Sequence, residues 1–165
     1  KLATTPLSRS EWLLAQTLVN VVIIGLTGLL LLGLVVLVTG AQITFSPLLV
    51  PFVGLGVALF CGVGAMLGSF TETQDGVIAA SNALALPLLF LSETFVPPSM
   101  LPAWLPTELS PLTFFSRGVR SVTYQPTTEP FFGMAAPGPL FYLGVLAGLT
   151  LVFFAAGAVA LPRTD

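Results

Sequence analysis

Chemistry needs groups that ionise, attack or hold a metal, and this chain has few of them. Its 165 residues include seven acids, five lysines or arginines, one cysteine and no histidine. The acids are scattered, so a metal cluster or a nucleophile–base constellation has almost no material. A phosphate-cradling GxxxxGKS/T loop is missing as well. Cys61 lies inside an apolar run and has no second cysteine to pair with, so a buried, inert thiol is expected. The chain is therefore expected to bind no cofactor or metal, and any energy source must sit on another chain. An intramembrane enzyme is disfavoured on the same grounds.

What remains is a thin set of polar residues in apolar surroundings. Gln16, Asn20 and Thr27 fall at offsets of four and seven, which places them along one face of a helix. Amides in hydrocarbon seek partners, so this face should meet other helices or a cavity. Asn82 is a candidate partner. Two readings are open, interhelical hydrogen bonding and the lining of a polar path. Arg117 and Arg120 share a helical face three residues apart, with Glu93 and Glu108 as nearby acids. These could form a structural ion pair or meet lipid headgroups. Alternatively they could act in gating or release of an anionic, lipid-like substrate. Trp104 reads as an interfacial anchor.

The elements that position these residues follow from hydropathy. Over half the residues are apolar, 7% are charged and the mean hydropathy is +1.01, whereas water-soluble domains carry roughly 25% charge. Residues 12–71 and 130–162 contain no Asp, Glu, Lys or Arg. Such runs exceed the roughly 20 apolar residues needed to cross a bilayer. The expected architecture is an all-α polytopic membrane bundle with four transmembrane helices, at 12–38, 47–70, 77–92 and 140–161. A net charge of −2 without a basic run excludes nucleic acid as a partner class.

Local signals refine these spans. Ser8 and Glu11 make a capping box, with Leu7 and Trp12 placed as its hydrophobic staple. Thr39 and Gly40 close the first span. The pairs Gly64/Gly68 and Gly144/Gly148, with Ala58/Gly62, offer small-residue faces for close helix approach. The third span is short, so it must borrow from its flanks or lean on the segment after it. That segment, residues 93–124, holds Pro97, Pro98, Pro102, Pro106 and Pro111, which forbid one continuous helix. Backbone freed in this way survives in a membrane only against protein or at the interface. The segment is therefore expected to be a re-entrant hairpin, and Ser110-Pro111 reads as the N-cap and first residue of a short helix in its second limb.

Four crossings put both ends on one side. Lys1, Arg9 and Arg163 then face Arg117 and Arg120 across the membrane, a small excess that favours cytoplasmic ends. Lys1 at the start, with no apolar signal core after it, suggests a piece of a longer protein.

Two separated stretches resemble type-2 ABC exporter permeases. One is LATTPLSRSEWLLAQTL, where Thr5, Pro6, Leu7, Ser8 and Arg9 match a loop that runs into a span. The other is PLLFLSETFVPPSMLPAWLPTELSPLTFFSRGVR, whose Leu101, Pro102, Trp104, Leu105, Pro111, Leu112, Thr113, Phe114 and Arg120 match the family's Pro-rich hairpin. The sequence departs from that pattern at Glu93, where the family commonly has a small residue. The resemblance implies spans three to six of a six-span permease domain with cytoplasmic ends, in the plasma membrane. It implies a separate ABC ATPase subunit, carrying ATP and Mg, that binds the loop at 1–11 through Pro6, Leu7, Ser8, Arg9 and Glu11. It also implies a second permease copy, with lipid around both. The path or gate would then involve Gln16, Asn20, Asn82, Glu93, Trp104, Arg117 and Arg120. A non-transporting assembly or sensor subunit of the membrane is the alternative from a different class.

Overall fold

The computed structural model describes residues 9–40, 43–44, 46–71, 73–96, 100–102, 107, 110–123 and 137–160, with side chains from Glu11 onward. The described residues form α1 (Arg9–Thr39), α2 (Leu49–Phe70), α3 (Gln74–Leu91), α4 (Pro111–Thr123) and α5 (Pro139–Ala160). Among them α1, α2, α3 and α5 are long and apolar enough to cross a membrane. The all-helical membrane bundle expected from hydropathy is the fold observed.

Each helix end has a local cause. Gly40 adopts φ +67 and its N–H bonds the Val36 carbonyl at 2.9 Å, a left-handed cap that stops α1. The third helix starts at Gln74, earlier than hydropathy alone suggests, because Thr73 caps it: its Oγ1 accepts from the Gly76 N–H at 3.2 Å. The short helix of the second limb begins at Pro111, yet Ser110 does not cap it through its side chain. Its buried Oγ has no hydrogen-bond partner. Thr113 instead pins the start, donating to the carbonyls of Thr107 at 2.6 Å and Leu91 at 3.2 Å.

α2 is the hub on which α1, α3, α4 and α5 all pack. Its core cluster joins Phe52, Leu59 and Val63 to Phe114 and Val122 of α4 and Tyr142 and Leu146 of α5. Lipid is as apolar as these side chains, so close contact rather than water exclusion holds the helices together. Of the glycines in the small-residue motifs, Gly62 makes a closest approach and the others do not. Gly62 and Gly157 cross backbone to backbone, and a Cβ on either would strike the other helix. Gly64, Gly68, Gly144 and Gly148 have open space where a Cβ would stand. Between α2 and α4 the contact is reciprocal: Phe52 covers Gly118, and Phe115 covers Gly56.

These contacts fix the course of α4. Phe115 lies at the level of Gly56, Gly118 at the level of Phe52, and the Thr123 carbonyl accepts from the Thr44 N–H in the α1–α2 connection at 3.0 Å. Phe115 thus lies about 10 Å inside the bundle, measured along α2, and the helix climbs from there to its surface. Beside its first turns ends α3, whose 18 residues rise about 27 Å. The third crossing does lean on the helix that comes after it.

Candidate functional site

Two polar places stand out in this apolar frame. The first is the junction of α3 and α4. After Leu91 the chain turns through Ser92, and Glu93 takes φ +58, the only non-glycine among the described residues with positive φ. Glycine usually fills such a position after a helix, since a side chain there is strained by about 1 kcal/mol. The reason for accepting this is the carboxylate. Glu93 receives two hydrogen bonds from Arg117, from Nε to Oε2 at 2.9 Å and from Nη2 to Oε1 at 2.6 Å. The two side chains are 1% and 5% exposed, so the pair is sealed from solvent and lipid.

The surroundings finish the junction. Arg120 Nη2 donates to the Glu93 carbonyl at 2.9 Å, holding the strained residue by its backbone as well. The buried phenol of Tyr142 on α5 faces the Arg117 guanidinium. Ser92 donates to the Leu89 carbonyl at 2.8 Å, and its hydroxyl lies 2.7 Å from that of Thr94. Buried charge survives in such a place only when paired and hydrogen-bonded. Of the two acids that sequence offers for the arginine face, Glu93 is engaged; Glu108 lies outside the described residues.

The second place is a groove of about 720 Å³ between α1 and α2, lined also by Leu112 and Phe115 of α4. Trp12, Gln16, Asn20 and Ile24 line it from α1, facing Cys61 and Gly64 of α2. Asn20 Nδ2 donates to the Cys61 Sγ at 3.4 Å. Asn20 and Asn82 are therefore not partners: Asn82 is exposed on α3, and Cys61, half-buried at the groove wall, receives the amide instead. Thr27 is likewise accounted for within its own helix, donating to the Ile23 carbonyl at 2.8 Å. Hydroxyls can bond back along a helix in this way, whereas the longer carboxamides of Gln16 and Asn20 project outward.

The described residues contain no cluster able to hold a metal. Glu11 stands exposed in the first turn of α1, where an acid complements the helix dipole. Pro6, Leu7, Ser8, the Arg9 side chain and Trp104 lie outside the described residues. The Glu93–Arg117 pairing was within reach of sequence reasoning, since both residues stand out as rare charges; the left-handed backbone that completes it leaves no sequence signal.

The family model described as ABC-2 type transporter matches residues 1–124, which takes in the loop before α1, the groove and the α3–α4 junction. No curated protein matches the chain, and no solved structure does.

Proposed function

The chain belongs to the ABC-2 type transporter family, and from that premise we propose that it is the membrane permease subunit of an ATP-driven exporter. The family match is the observation that carries this reading. ATP and Mg belong to a partner ABC ATPase, and this chain supplies the path. The ATPase engages residues 1–11 through Pro6, Leu7, Ser8, Arg9 and Glu11, on the cytoplasmic side of the plasma membrane with both ends of the chain. α1 supports the coupling role because it is unbroken for 31 residues. A push at its start travels as a rigid displacement to its contacts with α2.

Two permease copies, in lipid, enclose the path between their bundles. Gln16, Asn20 and Asn82 give it polar points. The hairpin covers the outer exit, where Trp104 anchors it at the interface. Glu93, Arg117 and Arg120 govern whether α4 can leave its place on α2. Nucleotide hydrolysis biases the bundle between arrangements closed and open to the outside.

Co-purification tests the coupling. With the full permease and its ATPase expressed together, changing Pro6, Leu7 and Arg9 to alanine should release the ATPase while leaving the permease folded. Undiminished ATPase recovery from the triple variant would refute the assignment of this loop.

A further inference from the structure

Resting on the transport reading, we infer that the α1–α2 groove binds an apolar chain of a lipid-like molecule, with an uncharged ester, amide or hydroxyl group held by Gln16 and Asn20. The lining contains no charged residue, so nothing in it compensates an ion taken from water. It offers two carboxamides instead. Asn20 spends one N–H on a thiol, a weak acceptor. Its second N–H and its carbonyl make no other hydrogen bond among the described residues, and neither does Gln16.

Depth and shape agree with a chain lying along the membrane normal. The groove starts at Trp12, which suits the headgroup level, and extends to Ile24, about 18 Å deeper along α1. That is a little more than half the roughly 30 Å thickness of the hydrocarbon. Gly64 and Gly68 keep the α2 wall low, with open space over both. The volume, about 720 Å³, lies within the range of small-molecule sites, roughly 300–1,000 Å³. Trp12, Ile24 and Phe60 of the lining are exposed, so the groove is open at its side and a molecule can enter from the bilayer.

The test uses the full permease with its ATPase in phosphatidylcholine vesicles that include a phosphatidylcholine carrying a diazirine on one acyl chain. After illumination, adducts at residues 64–69 should exceed those at the exposed Leu30 and Leu34. A Cβ at Gly64 meets nothing within 4 Å, so Gly64→Leu places its side chain in the groove and should abolish the excess. Replacing Gln16 and Asn20 together by Leu should cut it about tenfold, the weight of one or two hydrogen bonds. Adducts at Leu30 should be unchanged in every variant. Labelling at 64–69 that merely equals Leu30, or that ignores Gly64→Leu, overturns the inference. So does its complete absence, which would mean that protein covers the groove. ATP-dependent transport that persists without groove adducts would remove the site and leave the exporter; groove adducts without ATPase association would do the reverse.

Discussion

The α3–α4 junction and the α1–α2 groove both bring polar atoms into an apolar bundle, and they are completed in opposite ways. At the junction the two buried charges meet each other. Glu93 and Arg117 bond through two atoms each, and Arg120 holds the Glu93 backbone. In the groove Asn20 has only a thiol, and Gly64 and Gly68 of the wall face open space. A buried charge must be satisfied by its own protein or the fold fails, whereas a neutral amide at a half-open wall can wait for a ligand. The difference separates a fixed part of the bundle from a part with room to bind.

Breaking the ion pair should have the largest effect. Glu93→Ala or Arg117→Ala leaves one buried charge alone and should cost about 3–5 kcal/mol of stability, measured by unfolding in mixed micelles. Replacing both by well-packed apolar residues should cost far less than either single change. Glu93→Gly should recover about 1 kcal/mol relative to Glu93→Ala, because glycine accepts the positive φ without strain. Equal losses for Gly and Ala would deny that the backbone there is strained. Full stability of either single alanine variant would deny that the junction is the fixed part.

Glycine substitutions sharpen the contrast at the next level. Gly62→Ala drives a methyl into the Phe153 backbone and should cost about 1–3 kcal/mol. Two residues along the same helix, Gly64→Ala meets nothing and should stay within about 0.5 kcal/mol of the parent protein. Equal losses at the two sites would erase the distinction between the packed and open faces of α2.

Much of this fold is legible in the sequence. Long charge-free runs specify the crossings, and proline spacing marks the broken segment with a helix starting at Pro111. The glycine contacts are not legible, because Gly62 and Gly64 look alike until the azimuth of α2 against α5 is known. Asn20 carried the signal of a buried amide but not its partner, since a thiol is too weak an acceptor to be chosen over Asn82 in advance. At Glu93 the sequence shows a rare acid but not its role. Only the backbone explains it: the position wants glycine for its φ, and Arg117 requires the carboxylate.

The most direct measurement is ATP hydrolysis in vesicles holding the full permease and its ATPase, against vesicles holding the ATPase alone, across a panel of lipids, drugs and polysaccharides. At least one compound should stimulate hydrolysis only when the permease is present, and changing Pro6, Leu7 and Arg9 should remove the stimulation. Hydrolysis that is identical with and without the permease throughout the panel would contradict the exporter reading.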